Sequence, residues 1–447
     1  MLPARLYKYI ENSNGTTGAK RLALNEKCLT KICGYLNIPD HVNFGLACES
    51  FRRAYIKSCM TKFEICALNH ISKLTIKELV FFFEAAGPYI KHIERHAPLS
   101  KLDIVIDLIV TYCKQLRSLT LRNCNLYDEM VRKLPRLKRI DTLILCGNQR
   151  ITGRYLYGLT YLKELNLCGC SNITTSQIVE AFKTCTVLKT LDIRECTELH
   201  AEAFIAMAKY CEQLEVLKMS CPPMRFDCIG FLPLKELVLL DRNRRPSTTH
   251  LLEQLPYSGK QLEVLEIHSE NSLNHKHISM IKEIASLKML AVPNNEAVND
   301  DALDKFCQLT QLEKINIRGC CHVTNNGILK LLRFCTQLHC INIQFCRLIT
   351  HRLVSDVISF LNEEIENKNL ERKKPLVLLV NSTLMDANDL SMCVGYETAV
   401  RESLIKVIFD ISTFDLVDGV AAYHYMGRLH HSSDEGDDYE DENANPM

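Results

Sequence analysis

A short residue pattern returns along most of this chain. An apolar residue is followed by two variable positions, a second apolar residue, an alternating stretch and then Cys or Asn at position nine. Clear copies span residues 116–124, 162–170, 188–196, 312–320 and 338–346. The first-position residues are Leu116, Ile140, Leu162, Leu188, Leu214, Leu234, Leu262, Leu287, Leu312 and Leu338. Their spacings all lie between 20 and 28 residues, which predicts one supersecondary unit stacked many times.

The pattern resembles the leucine-rich repeat, in the variant that carries Cys at position nine. This resemblance implies an α/β solenoid, a curved parallel sheet with helices on its outer side. Apolar residues at positions one, four and six should point into the stack, and positions five and seven toward solvent. A weaker unit at Ile90 extends the series to about eleven repeats. A closing strand within residues 376–380 follows them, and the solenoid should cover residues 90–385.

The 22 cysteines largely follow the repeat. Nine of them occupy two registers and should be packing residues: Cys113, Cys124, Cys170, Cys185, Cys196, Cys211, Cys320, Cys335 and Cys346. A zinc site is the alternative at Cys168–Cys170 or at Cys320–His322, but neither has a second ligand pair at the required spacing. We expect no metal and no cofactor. Residues 1–11 lack a signal-peptide pattern, so reduced thiols in the cytoplasm or nucleus are expected.

The net charge of +1 combines two different parts of the chain. Residues 432–447 carry seven acidic residues and no Lys or Arg, which predicts a disordered acidic tail. The preceding residues carry 54 basic against 46 acidic residues, a net of +8. We interpret these charges as dispersed, which does not indicate a nucleic-acid partner. No apolar run approaches the length of a membrane span, so no membrane partner is expected either.

The segment before the repeats predicts three short helices. Asn25 is positioned to cap a first helix whose apolar stripe is Leu29, Ile32 and Leu36. Pro39–Asp40 ends it and offers the next cap. A second helix should carry Val42, Phe44 and Leu46, and a third should begin near Arg52. Three helices in about forty residues leave surplus apolar surface, which suits docking to a partner.

This segment resembles an F-box. The matching residues are Leu24, Leu29, Ile32, Tyr35, Leu36, Asp40, Leu46, Cys48, Phe51 and Arg52. The segment departs from the family pattern twice, because Asn25 stands where Pro is usual and Phe51 where Trp is usual. The resemblance implies a substrate-recognition subunit of an SCF-type E3 ubiquitin ligase. Such a subunit docks on a Skp-type adaptor, and through it on a cullin–RING ligase.

The adaptor-binding residues implied by the resemblance are Leu24, Leu29, Ile32, Leu36, Val42, Phe44, Leu46, Cys48, Phe51 and Arg52. The chain then divides into an N-terminal extension (1–20), the F-box-like segment (21–60) and a helical linker or cap (61–89). The repeats (90–385), a C-terminal capping segment (386–431) and the acidic tail (432–447) follow. Two alternatives stay open: a helical cap over the first repeat, and a ligase-free scaffold or small-GTPase regulator.

The repeats should hold the protein target. Val238 and Leu240 are predicted to lie exposed beside each other, followed by an arginine-rich loop, which is the composition of an interface centre. The predicted substrate-binding residues are Arg122, Arg194, Val238, Leu240, Arg242, Arg244, His268 and Arg318. An ordinary solvated strand face is the alternative. No catalytic motif is recognisable, so we expect a non-catalytic protein.

Overall fold

The computed structural model describes residues 24–409, apart from 69–70, 222–226, 241–250, 254, 256–260, 367–374 and 392. The predicted N-terminal extension, the acidic tail and the end of the capping segment therefore lie outside the described residues. The chain divides into two compact units, Met1–Ala291 and Val292–Met447. Within the described ranges, no helix is both long and apolar enough to cross a membrane.

Ten parallel strands form the sheet of the first unit. They are β1 (Ile65–Ala67), β2 (His92–Arg95), β3 (Ser118–Leu121), β4 (Thr142–Ile144), β5 (Glu164–Asn166), β6 (Thr190–Ile193), β7 (Val216–Ser220), β8 (Glu236–Leu240), β9 (Val264–His268) and β10 (Met289–Ala291). Each strand pairs with the next in chain order. This order is that of a repeat solenoid, in which each unit contacts its neighbours.

The helices of the first unit fall into two groups. Three precede the sheet: α1 (Glu26–Gly34), α2 (Ile38–Ala47) and α3 (Glu49–Lys62). The others connect strands: α4 (Ile76–Ala86), α5 (Leu102–Tyr112), α6 (Asp128–Val131), α7 (Thr175–Thr184), α8 (Ala201–Tyr210) and α9 (His275–Ile281). Short 3₁₀ turns occur at Ile71–Lys73, Gly87–Tyr89, Leu134–Arg136 and Asp227–Phe231.

The second unit has the same strand-and-helix alternation. Its strands β11 (Lys314–Asn316), β12 (Cys340–Asn342), β13 (Leu376–Leu379) and β14 (Ile405–Ile408) pair in parallel in that order. Its helices are α10 (Asp300–Phe306), α11 (Asn325–Phe334), α12 (Arg352–Glu366), α13 (Ala387–Ser391) and α14 (Tyr396–Arg401). The protein is therefore an α/β leucine-rich-repeat solenoid preceded by three helices.

The predicted repeat register is confirmed. Leu162, Leu165 and Leu167, at positions one, four and six, are buried, and Leu165 pairs with Leu143 and Leu191 on the adjacent strands. Position nine satisfies the backbone, as expected. The Cys170 thiol donates to the Leu145 carbonyl at 3.1 Å. All nine predicted packing cysteines are buried.

Asn148 replaces Cys at position nine and satisfies more of the backbone. Its Nδ2 donates to the Leu121 carbonyl at 2.8 Å. Its Oδ1 accepts from the N–H groups of Cys124 and Leu126, each at 3.0 Å. The side chain is fully buried, so one amide ties two repeats together.

Each unit has a strand outside the predicted repeats. The segment predicted as a helical linker contains strand β1, and the predicted capping segment contains β14. Sequence reasoning missed β1 because its apolar positions are Phe63, Cys66 and Leu68 and the usual leucines are absent from two of them. All three are buried, so they perform the same packing role.

Two helix starts also differ from prediction. Asn25 caps α1 as expected, because its side chain accepts from the Cys28 N–H at 2.9 Å. The second helix is capped by Asn37, whose side chain accepts from the Asp40 N–H at 3.0 Å, so Asp40 is not the cap. The third helix begins at Glu49, one turn earlier than the predicted start near Arg52.

Candidate functional site

The three N-terminal helices form a small core of their own. The Phe44 and Phe51 rings stack with centroids 4.3 Å apart and an interplanar angle of 6°. Leu29 and Val42 are buried beside them. Helix α2 approaches α3 closely at Gly45, where a Cβ would lie 2.6 Å from the Tyr55 ring. A side chain at position 45 would therefore force the two helices apart.

A buried histidine completes this core. His41 is fully buried, and its Nε2 lies 2.6 Å from the Ser58 hydroxyl. Its Nδ1 has no hydrogen-bond partner among the described residues. Burial, with a smaller contribution from the Lys62 charge, lowers the pKa of His41 to about 3. The ring is therefore neutral at physiological pH.

Helix α3 also packs against the first repeat. The Tyr55 ring stacks on Phe81 of α4 at 4.9 Å, and Phe63 meets Phe82 edge to face at 5.1 Å. The Arg52 guanidinium lies 5.7 Å from the centre of the Phe81 ring. Part of the predicted capping role is thus performed, since α3 covers one side of α4.

Covering the first repeat does not use all the apolar side chains of this segment. Six large ones among residues 24–60 remain exposed, and we call them the apolar set: Leu24, Ile32, Tyr35, Leu46, Ile56 and Met60. Tyr35 is 81% exposed and Met60 is 49% exposed, both far outside the range of core residues. Exposed apolar side chains that form a patch mark interaction sites, which makes the apolar set the candidate for one.

The predicted adaptor residues divide by burial. Leu29, Val42 and Phe44 lie in the core of the segment and support it from within. Leu36 and Phe51 are half-buried, whereas Leu24, Ile32, Leu46, Cys48 and Arg52 are exposed. Sequence reasoning missed Ile56 and Met60, because the F-box pattern ends before them. Their helical spacing of four residues was the available signal.

The face of the sheet formed by positions five and seven of the repeats, which we call the strand face, differs from prediction. These side chains were expected to point to solvent. Asn166 and Asp192 at position five, and Cys168 and Arg194 at position seven, are instead buried. These side chains are shielded from solvent by each other, because equivalent residues of adjacent repeats in a parallel sheet lie side by side.

A hydrogen-bonded network accounts for this burial. The Arg194 guanidinium donates to both Asp192 carboxylate oxygens, from Nε at 3.0 Å and from Nη2 at 2.7 Å. Asn166 donates to the same carboxylate at 3.2 Å. The Asn166 carbonyl oxygen accepts from the Cys168 N–H at 3.0 Å and the Cys146 thiol at 2.9 Å. Five side chains or backbone groups of three consecutive repeats thus satisfy one another.

Two carboxylates on this face are bonded to neighbouring side chains. Burial alone would lower the pKa of Arg194, but the two hydrogen bonds to Asp192 raise it above its usual value. Burial likewise opposes ionisation of Glu266, yet His268 at 2.6 Å holds the Glu266 pKa below its usual range. Carboxylates bonded in this way rigidify a surface and are less available to a ligand.

The other predicted substrate residues are placed as follows. Val238 is buried, so the prediction of an exposed Val238–Leu240 pair is wrong, because only Leu240 is half-exposed. The Arg122 Nη1 lies 3.5 Å from the Cys146 sulfur. In the second unit, the Arg318 guanidinium lies 4.6 Å from the centre of the Phe345 ring. Arg242 and Arg244 lie outside the described residues.

Two buried cysteines of the repeats illustrate the state of the packing thiols. Burial raises the pKa of the Cys170 and Cys320 thiols to about 12. A thiol with such a pKa is a poor nucleophile and a poor metal ligand at neutral pH. No group of three or more His, Cys, Asp or Glu side chains in the described part of the chain is arranged to hold a metal ion.

Comparisons with known proteins support the fold and little more. No protein-family model matches this chain. A putative RNA-binding protein of Caenorhabditis elegans, EEED8.10, is 24% identical over 292 residues, which are 63% of this chain. The chain spans only 37% of that relative's length.

Two solved structures are similar to this chain. A chain of the yeast Rad7–Elc1 complex aligns with a TM-score of 0.50 and 14% identity, over 92% of this chain and 96% of the other. An internalin from Listeria monocytogenes aligns with a TM-score of 0.37 and 17% identity, over 75% and 82% of the two chains. The yeast match agrees with the solenoid fold derived above, and the internalin match is too low to bear on it.

Proposed function

We propose that this protein is a non-catalytic recognition subunit of an SCF-type ubiquitin ligase. In this proposal the three-helix segment docks on a Skp-type adaptor, and the repeats hold the protein to be modified. The adaptor joins the chain to a cullin–RING ligase. The contribution of the chain is then proximity, which raises the effective concentration of target lysines near the conjugating enzyme.

The observation that carries the proposal is the apolar set of the three-helix segment. Tyr35 and Leu46 remain exposed although α3 packs on the first repeat through Tyr55. Burying such side chains against a partner is favourable by about 25 cal/mol per Å² of apolar surface removed from water. The F-box resemblance of the same helices names the kind of partner, and the similar yeast chain was solved in a two-protein complex.

Co-purification with a Skp-type adaptor tests the proposal. Tyr35→Asp with Leu46→Asp should abolish recovery of the adaptor, because both substitutions place a carboxylate on the docking surface. Phe51 is a poor choice for this test, since it stacks on Phe44 and its loss would disturb the core. Ile205→Asp with Phe334→Asp is the matched control, because these residues are 53% and 56% exposed on α8 and α11.

The outcomes separate the proposal from its alternatives. Loss of the adaptor with the docking variant, at full recovery with the control, supports it. Failure of the wild-type chain to recover any adaptor, or equal recovery by all three chains, overturns it. A ligase-free scaffold would then be the better account of the solenoid. Far-UV circular dichroism of each variant confirms that the fold is retained.

A further inference from the structure

Positive charge is concentrated on two consecutive repeats of the first unit. Residues 130–163 contain one acidic residue, Asp141. The same stretch contains eight basic residues: Arg132, Lys133, Arg136, Lys138, Arg139, Arg150, Arg154 and Lys163. The interpretation of the charges as dispersed is therefore wrong for this stretch. All eight precede or follow β4 in the segments that connect it to β3 and β5.

Most of these charges are not neutralised by a neighbour. Lys133 pairs with Asp107 at 2.7 Å, and Arg132 pairs with Glu129 at 3.0 Å. The remaining six have no carboxylate within salt-bridge distance among the described residues: Arg136, Lys138, Arg139, Arg150, Arg154 and Lys163. All six are exposed. Unpaired cations at this density repel one another, and a polyanion removes that cost.

Two exposed aromatic rings lie among these cations. Tyr157 is 51% exposed and Tyr161 is 63% exposed. Leu156 and Leu159, which lie between and beside them in the sequence, are buried at 1% and 2% exposure. Burial of the leucines fixes the backbone, so the tyrosines project outward as a consequence of the packing.

The backbone here is built to bring the two connecting segments together. Gly158 has a φ of +88° and lies against Pro135, where a Cβ would be 3.7 Å from the proline Cβ. Thr152 bonds to the Asp128 carboxylate through its N–H at 2.9 Å and its hydroxyl at 2.7 Å. Tyr157 and Arg136 therefore belong to neighbouring segments that are fixed to each other.

Two of the arginines are already oriented by rings. The Arg154 guanidinium lies 5.5 Å from the centre of the Tyr155 ring, and Arg150 lies 5.5 Å from that of Tyr127. A guanidinium held this way keeps its donors available for phosphate oxygens. Arg150 and Tyr127 are also joined by a parallel β-bridge, which adds to this order.

We propose that residues 130–163 form a binding face for single-stranded nucleic acid. Arg136, Arg150 and Arg154 contact the phosphates, and Tyr157 and Tyr161 stack on unpaired bases. Cations that follow the backbone, combined with exposed rings that accept any base, are the usual composition of such surfaces. An acidic peptide would use the cations but would leave both tyrosines without a function, so the rings favour the nucleic acid.

Fluorescence anisotropy of the full chain with a fluorescein-labelled twelve-nucleotide single-stranded RNA tests this face. Arg136→Gln with Arg154→Gln should weaken binding at least tenfold. The negative slope of log K against log salt should become shallower by about 1.4, since each lost phosphate contact reduces its magnitude by about 0.7. Tyr157→Ala with Tyr161→Ala should weaken binding about tenfold because base stacking is removed, with the slope unchanged.

The matched control removes two comparable cations elsewhere. Lys209 lies 5.2 Å from the Tyr210 ring centre, and Arg333 lies 6.0 Å from that of Phe360, so each is a cation beside a ring. Lys209→Gln with Arg333→Gln should leave RNA affinity within about twofold of wild type, because neither lies in residues 130–163. All variants should still recover the adaptor, which keeps this test separate from the proposed function.

Two results overturn the proposal. One is equal RNA affinity for the wild type, both face variants and the control. The other is binding of polyglutamate as tightly as the RNA, with no effect of the tyrosine variant, which would identify an acidic-peptide site. A matching single-stranded DNA serves as a second probe and should bind in the same pattern, because stacking and phosphate contacts do not require the 2′-hydroxyl.

Discussion

The three-helix segment and the strand face of the first unit differ in which side chains they expose to solvent. On the segment, apolar residues such as Tyr35 and Leu46 remain exposed. On the strand face, polar residues such as Asp192 and Arg194 are buried and bonded to each other. A partner that covers the segment would therefore bury apolar surface that is now in contact with water. At the centre of the strand face, the polar side chains already bond to one another.

A partner can bind the three-helix segment at a lower energetic cost than the centre of the strand face. A partner gains affinity by covering the apolar set, since water is released and no existing bond is broken. A partner that uses the Asp192–Arg194 pair must first break contacts that are individually strong. We therefore expect target binding by the repeats to use the half-exposed residues, such as Arg122 and Leu240, more than the buried pair.

Breaking the buried pair has the largest expected effect. Arg194→Met leaves the Asp192 carboxylate buried with Asn166 as its side-chain partner, which should lower the free energy of unfolding by about 3–5 kcal/mol. Urea denaturation measures it. Lys235→Met is the control, because Lys235 pairs with Glu215 at the surface and its loss should change stability little. If Arg194→Met and Lys235→Met both change the free energy of unfolding only slightly, the Asp192–Arg194 pair is exposed to solvent and not buried.

Removing apolar volume beneath the strand face comes next. Leu165→Ala truncates a side chain that is 1% exposed, and it should cost about 2–5 kcal/mol of unfolding free energy, depending on how far the cavity collapses. Thermal and urea unfolding both report it. A cost below about 1 kcal/mol would contradict the placement of position four in the core.

Acidification should destabilise the helical segment through His41. The pKa of His41 is lowered in the folded chain. Below a pH of about 6.5 the ring is therefore protonated in the unfolded chain but still neutral in the folded chain. The stability contributed by the neutral ring is complete above that pH and is lost progressively as the pH falls toward 3. Between pH 7.5 and 5.5 the loss should be about 1.4 kcal/mol.

His41→Gln isolates this contribution. The variant keeps a hydrogen-bonding side chain near Ser58 but removes the titrating ring, so its stability should fall less than that of the wild type over the same pH range. His277, whose pKa is also lowered by burial, remains in both proteins and cancels in the difference. Parallel pH profiles for the two chains would rule out His41 as the titrating group.

Truncating the apolar set should have the smallest effect on folding. Tyr35→Ala with Leu46→Ala removes exposed side chains, and the change in unfolding free energy should stay within about 0.5 kcal/mol. Urea denaturation beside Leu165→Ala makes the comparison direct. A cost of several kcal/mol would mean that these residues support the segment and are not free for a partner.

The repeats were predictable because their signal is local. Leu162, Leu165 and Leu167 specify a buried strand side within six residues, and position nine follows from the same register. The buried strand face was not predictable in this way. Asn166 and Asp192 are 26 residues apart, and only strand pairing brings them within 3.2 Å.

The N-terminal segment shows a similar division. The cap at Asn25 and the presence of three helices follow from capping and breaking residues. Which apolar residues stay exposed depends on the packing of α3 on α4 through Tyr55 and Phe81, which no short motif encodes. Likewise, the net charge of the chain does not reveal the cluster of basic residues in 130–163, because acidic residues elsewhere in the sequence balance their charge.

Isothermal titration calorimetry with a purified Skp-type adaptor tests most directly whether the apolar set is a docking surface. The wild-type chain should bind with a negative heat-capacity change, because apolar surface is buried. Tyr35→Ala with Leu46→Ala should weaken affinity at least tenfold, which is about 1.4 kcal/mol, and make that heat-capacity change smaller. If the wild-type chain gives no heat of binding, or if the variant keeps the same affinity and heat-capacity change, the apolar set is not a docking surface for the adaptor.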